Sequence, residues 1–184
     1  MGEFTLEVRV KEVSVSSLLE QYWQPDTVHE ACRSCPRYGQ VWFCPPETPD
    51  TEGFFDDYTG GFLIGVKVIY DESVRMGVHS TEEAKTVRMR TYEKVKEQLF
   101  FILLEMEKKV PGGQCLRTGS CTFCKECARL EDKPCRHPSL GRYNVTAMGF
   151  DCVNMIKDVL GTELKWNFDG LPEYDVAVAA LLYK

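Results

Sequence analysis

Apolar and polar positions alternate from Phe4 to Lys11, with Phe4, Leu6, Val8 and Val10 on one side and Thr5, Glu7, Arg9 and Lys11 on the other. A period of two predicts a half-exposed strand. Ser17, with Glu20 three residues on, reads as a capping box opening a short helix through Leu18, Leu19, Tyr22 and Trp23, which Pro25 stops. Between Val28 and Gly61 the breakers Pro36, Gly39, Pro45, Pro46, Pro49, Gly53 and Gly60 predict a loop without long regular elements.

Phe62 to Tyr70 is mostly aliphatic and β-branched, the pattern of a strand covered on both faces. Ser80 and Glu83 form a second capping box, after which Ala84, Val87, Tyr92, Val95, Leu99, Ile102 and Met106 recur at close to helical spacing. One long helix is therefore expected from about Thr81 to Lys109, ended by Pro111-Gly112-Gly113. Met148, Cys152, Met155, Ile156 and Val159 mark a shorter helix closed by Gly161, and Val176 to Tyr183 reads as a buried strand. These elements predict an α+β fold: a single metal-binding domain over 1–184, with a mixed sheet, one long helix, and cysteine-rich loops over 28–61 and 113–140 gathered at one end of the sheet.

Charge and composition narrow the function. The 184 residues carry 22 Lys and Arg against 28 Asp and Glu, a net charge of −6, which argues against a nucleic-acid partner. No apolar run approaches the roughly 20 residues of a membrane span, and Met1 to Val10 alternates instead of forming a signal-peptide core, so no membrane association and a cytoplasmic location are expected. Nine cysteines change the picture most: in a reducing compartment such a number reads as metal ligands, and an odd total leaves no full set of internal disulfides.

Seven of them form two groups. Cys121-x2-Cys124-x2-Cys127-x7-Cys135 places three thiols two residues apart and a fourth on a later turn, the ligation logic of a [4Fe-4S] cluster. A structural zinc site more often takes two separated CxxC knuckles. Cys32-x2-Cys35-Pro36-x7-Cys44-Pro45-Pro46 supplies three thiols and stops. Either Cys152, Cys115 or His29 completes it, or one metal keeps an open position at which a small molecule binds. Zinc completed by His29 or a distant Cys is the alternative cofactor, and either group could serve simply to staple its loop.

The string His29-x2-Cys32-x2-Cys35-Pro36-x-Tyr38-Gly39-x2-Trp42-x-Cys44-Pro45-Pro46, with Gly119-Ser120-Cys121-x2-Cys124-Lys125-x-Cys127 and Cys135-Arg136-His137-Pro138, resembles the predicted metal-binding proteins of the domain of unknown function 2284 family over nearly the whole chain. The resemblance implies a cofactor class and an anaerobic setting, since some members are described as iron-sulfur proteins. The seven grouped cysteines match the family's pattern and Cys115 lies outside it; Met148 stands where the family tends to carry a cysteine, with Cys152 four residues on.

Other residues carry two readings each. His29, three positions before Cys32, is a candidate ligand or proton donor, against an ordinary loop histidine. Arg136 and His137 could donate hydrogen bonds to a cluster, and Tyr38 and Trp42 could roof the first site or simply pack their loop. His79 reads as a loop residue, and Asp56, Asp57 and Glu131 as solvated faces that would also suit a basic redox partner. No dinucleotide or P-loop motif is present, nor the C-x3-C-x2-C run of radical S-adenosylmethionine chemistry. The expected function is an iron-sulfur protein with two [4Fe-4S] clusters in electron transfer, with small-molecule reduction or desulfurisation at the open site. Its rivals are a pure electron carrier with both clusters fully ligated and a zinc-stapled interaction module. Whether it is an enzyme, and on what substrate, is left open by the sequence.

Overall fold

The computed structural model describes residues 2–49, 51–167 and 169–184; position 50, inside the first cysteine loop, and positions 1 and 168 lie outside it. The fold is α+β. Its frame is a four-stranded sheet of β1 (Phe4–Ser14), β2 (Gly60–Tyr70), β3 (Gln114–Leu116) and β4 (Tyr174–Tyr183), in the order β1-β2-β4-β3. Every pair is antiparallel, so the sheet is not mixed as expected. The only parallel contact among the described residues is an isolated bridge between Arg117 and Asn144, outside the strands.

Side-chain alternation on β4 divides two cores. Val178, Ala180 and Leu182 face one side, packed with Val15, Leu18, Met155 and Ile156. Ala177, Ala179 and Leu181 face the other, with Phe100 and Leu103. The first core is closed by α1 (Val15–Tyr22) and α7 (Cys152–Leu160), and α7 comes close enough that a Cβ on Gly65 would lie 2.7 Å from Leu160 Cδ1. The second is closed by α5 (Thr81–Arg90) and α6 (Tyr92–Glu107).

The expected long helix exists but bends at Thr91, whose backbone leaves the helical region (φ −117°, ψ −84°) and separates α5 from α6. Thr91 is fully buried and its hydroxyl donates to Val87 O at 2.7 Å, back-bonding of the kind that bends helices. Ser80 caps α5 as expected, its Oγ accepting from Glu83 N. Ahead of α1 the cap is Ser14, three residues before the expected Ser17, with its Oγ accepting from Ser17 N. Pro25 opens a helix as well as following one: it stands at the first turn of α2 (Pro25–Cys32), where a missing N–H costs nothing. Short helices α3 (Thr51–Phe55) and α4 (Glu72–Met76) flank β2.

The aliphatic face of β1 is left open. Leu6, Val8 and Val10 remain 51%, 58% and 52% exposed and form an apolar groove with Ile102 and Met106. Helix α6 packs on β4 and β3, towards the far edge of the same face of the sheet, and a helix about 10 Å wide covers about two strands spaced roughly 4.8 Å apart. β1 lies beyond its reach.

Glu107, at the end of α6, anchors the scaffold to the second cysteine loop. Its Oε2 accepts from Cys115 N at 2.6 Å and from Arg142 Nε at 3.0 Å. Burial alone would raise its pKa, but the hydrogen bonds from Arg142 and Cys115 outweigh it and hold the carboxyl below its usual range. A lowered folded-state pKa contributes stability above the unfolded value, and that contribution is lost as pH falls through the folded one. Glu107→Gln should therefore cost about 2 kcal/mol at neutral pH, under the ~3–5 of a fully buried pair because both partners keep some water contact. Urea unfolding should show the gap from wild type closing in acid; an equal gap at both pH values would contradict the ion pair.

Candidate metal centres

Beyond β3 the chain leaves the sheet and runs from Arg117 to Val145 largely through turns, and these two residues are tied together by Val145 N–H donating to Arg117 O at 3.2 Å. The four thiols of the second group, Cys121, Cys124, Cys127 and Cys135, line one cavity of about 400 Å³. Trp42, Phe123, Arg136 and His137 complete much of its wall. Cys32, Cys35 and Cys44 line a second cavity of about 210 Å³, with Tyr38, Ser120, Asn144 and Thr146 opposite. Arg37 borders both. Each sequence group thus converges on its own cavity, and the two cavities share a wall.

The first loop is built for tight turning. Cys32 ends α2, Cys35 N–H donates to Cys32 O at 2.9 Å, and Gly39, at φ +67°, turns the chain so that its N–H reaches Pro45 O at 3.0 Å. Cys44 is buried, and Asn144 Nδ2 donates to its sulfur at 3.5 Å while Asn144 Oδ1 accepts from Ala147 N at 2.7 Å. The same small motif recurs in both loops: Arg37 N–H points at Cys35 Sγ at 3.5 Å, and His137 N–H at Cys135 Sγ at 3.4 Å. Amide donors at sulfur are the donors that tune iron-sulfur potentials.

The loops brace each other. Arg129 donates from Nε to Gly39 O at 3.2 Å, pairs with Glu47 at 2.7 Å, and stacks its guanidinium 4.9 Å from the Trp42 ring. Trp42 Nε1 donates to Lys133 O at 3.1 Å. Phe43, at φ +68°, presses its ring on Gly141, where any Cβ would lie 1.9 Å from the ring.

The remaining candidates separate clearly. His29 Nε2 bonds Ala147 O at 2.8 Å; because a carbonyl only accepts, that nitrogen carries the proton, and the ring braces α2 against the wall of the three-thiol cavity. His29 is not among the residues lining that cavity. Cys115 is fully buried in the α6-side core and lines neither cavity; burial, with Glu107 beside it, pushes its thiol up to about 12. Cys152 opens α7, with its sulfur 3.3 Å from the hydroxyl of Thr146, a residue of the three-thiol cavity, and close enough to Cys32 to feel its charge. Tyr38 borders the three-thiol cavity, whereas Trp42, expected at the same site, instead lines the four-thiol cavity because its indole packs on the second loop. Arg136 donates to Glu126 O at 2.7 Å, and the His137 ring lies edge-on to Phe123. His79 donates its backbone N–H to Glu83 at the start of α5, Asp57 pairs with Lys184, Glu131 pairs with Lys133, and Asp56 is exposed.

Sequence reasoning missed Arg117, Asn144 and Thr146. None lies in a cysteine motif, and a polar residue just past a short strand carries no signal of its own. Arg117 bears most directly on the donor set: it is buried, yet its Nε and Nη1 have no hydrogen-bond partner. Burial pulls its pKa down, and Cys121 and Cys44 draw it back up.

Among the described residues, no three His, Cys, Asp or Glu donors come together closely enough to hold one ion. The thiols instead stand among other side chains on the walls of cavities of about 400 and 210 Å³, larger in volume than a lone tetrahedral ion with sulfur at about 2.3 Å would need. Burial, then Cys35 and Cys32, pushes the Cys44 thiol up to about 11, and burial with Cys35 beside it raises Cys32. Metal binding must displace these protons, so loading is favoured as pH rises. Soft sulfur donors in two clusters, with an uncompensated cation nearby, fit an anionic metal-thiolate group.

The chain is thus an α+β scaffold carrying two thiol-lined cavities on its loops. The model of the predicted metal-binding protein family, domain of unknown function 2284, matches residues 20–182, and the chain belongs to that family. No curated protein and no solved structure matches it. No described helix is long and apolar enough to cross a membrane.

Proposed function

We propose that the chain is an iron-sulfur protein with two four-iron clusters, one held by Cys121, Cys124, Cys127 and Cys135 and the other by Cys32, Cys35 and Cys44. The observation that carries this reading is the partition of all seven grouped thiols between two adjoining cavities, four in one and three in the other. Such clusters supply one-electron chemistry, and an iron without a protein thiolate can bind a small molecule for reduction or desulfurisation.

The chain's own residues do the rest. Cys35 and Cys135 receive amide hydrogen bonds of the kind that tune cluster potentials, and Trp42 and Phe123 line the four-thiol cavity. Ser120 and Thr146 offer hydroxyls to a ligand in the three-thiol cavity, where no fourth thiol lines the wall. Lys125, Arg136 and Arg37 line the four-thiol cavity against one carboxylate, Glu126, a net positive surface suited to an acidic redox partner; the exposed Asp56 and Asp57 suit a basic one less well because they lie outside it. The reading includes a cytoplasmic setting.

Cys152, beside Thr146 and near Cys32, supports the second reading of a carrier with both clusters fully ligated. Anaerobic purification with iron, sulfide and zinc analysis tests the first step. A brown protein with acid-labile sulfide is expected, and a colourless one with stoichiometric zinc would overturn the iron assignment in favour of a stapled module. Electron paramagnetic resonance of Cys152→Ser then separates the two readings: an unchanged reduced spectrum supports the open site, and loss of one cluster signal supports the carrier.

A further inference from the structure

Arg117 follows β3 and is held by its backbone, with its N–H donating to Tyr143 O at 2.9 Å and its carbonyl accepting from Val145 N at 3.2 Å. Its side chain runs inward and the residue is only 6% exposed. The guanidinium carbon sits 4.5 Å from the Phe100 ring centre and 5.5 Å from that of Phe123. Phe123 lines the four-thiol cavity; Asn144, bridged to Arg117 through the backbone, lines the three-thiol cavity and bonds Cys44. Arg117 lines neither cavity itself, but its guanidinium packs on a wall residue of one and its backbone pairs with a wall residue of the other.

Two of its donor nitrogens have no partner. Ring faces and the Cys121 sulfur beside it return only part of what a buried cation loses on leaving water, and two donor nitrogens without partners are a standing cost to the folded chain. Among the described residues no carboxylate pairs with it; the ionisable groups that act on it are Cys121, Cys44 and Cys115. Cys115 has its own carboxylate neighbour in Glu107. What is missing beside Arg117 is negative charge on the side of Cys121 and Cys44.

We propose that Arg117 is the shared counter-charge of the two metal centres, a positioning residue whose guanidinium offsets the thiolate and sulfide charge on both sides and favours their reduced forms. This rests on the two-cluster reading above. Charge compensation of this kind has a signature that a merely structural arginine lacks: its effect on stability changes sign with loading. In the metal-free chain Arg117 is an uncompensated cation, and an apolar side chain of similar length is the better occupant. In the loaded chain it faces an anionic group, and its loss leaves that charge unanswered.

The test compares wild type, Arg117→Met and Arg117→Lys, each metal-free after anaerobic chelation and each reconstituted with ferrous iron and sulfide. The Met variant is expected to melt at a higher temperature than wild type when metal-free and at a lower one when loaded, and to lose iron faster to a chelator. Its midpoint potentials should fall by a factor of ten or more in the reduction equilibrium, about 59 mV for a one-electron couple. The Lys variant should restore the potentials towards wild type. If Arg117→Met lowers the melting temperature in both forms by the same amount and leaves the potentials where they were, the counter-charge role is wrong. Wild-type protein that takes up neither iron nor sulfide would overturn the two-cluster reading itself. Should zinc bind instead, the sign change in stability and the rate of zinc loss would still decide the role of Arg117.

Discussion

Cys124→Ser is expected to strip the metal from the four-thiol cavity and to lower the stability of the loaded protein by several kcal/mol, because metal bound only by the folded chain adds its binding free energy to folding. Cys115→Ala is the control that gives the result meaning. Cys115 is fully buried in the core against α6 and lines neither cavity, so its removal should leave metal content untouched. It should still cost about 1 kcal/mol, the loss of one small buried group in a close-packed site. Metal analysis beside thermal melts of both variants checks the pair. Equal metal loss in the two would contradict the partition of the thiols.

Phe100→Ala carries the other large effect. Phe100 is 2% exposed on α6, packs in the core with Leu103 and Leu181, stacks on Phe123 at 5.6 Å between ring centres and supports the Arg117 guanidinium. Truncating a buried aromatic costs about 3–5 kcal/mol. Here the damage should travel further, since the void opens beneath both Phe123, a wall of the four-thiol cavity, and Arg117. Denaturant unfolding should show the loss of stability, and metal release to a chelator should accelerate. A variant as stable as wild type with unaltered release would mean that the helix and the metal loops are not mechanically joined.

The scaffold was legible in the sequence wherever burial on both sides left a continuous aliphatic run. Phe62 to Tyr70 became β2 and Val176 to Tyr183 became most of β4, while Ser80 and Gly161 marked helix ends by local chemistry alone. Thr91 was not legible as a bend, because the apolar period continues across it and only the buried hydroxyl bond reveals the break. The alternation on β1 gave the strand correctly but not the openness of its aliphatic face, which depends on how far α6 reaches across the sheet. Antiparallel pairing throughout depended in the same way on which strands become neighbours.

Spacing alone grouped the thiols as the cavities do, since residues two or three apart on a turn stay close whatever the fold. The parts contributed from a distance were hidden. Asn144 reaches Cys44 across 100 positions, and Arg117 acquires its place only when β3, α6 and the loop around Phe123 have packed. His29 illustrates the converse, a residue whose proximity in sequence to Cys32 suggested chemistry and whose imidazole is instead committed to a carbonyl on the far side of the chain.

The sheet and the two helical layers close around their own side chains, while the sulfur donors, Cys32 at a helix end excepted, ride on turns outside them. Substitutions confined to those turns should therefore reshape the cavity walls while leaving the two cores packed as they are.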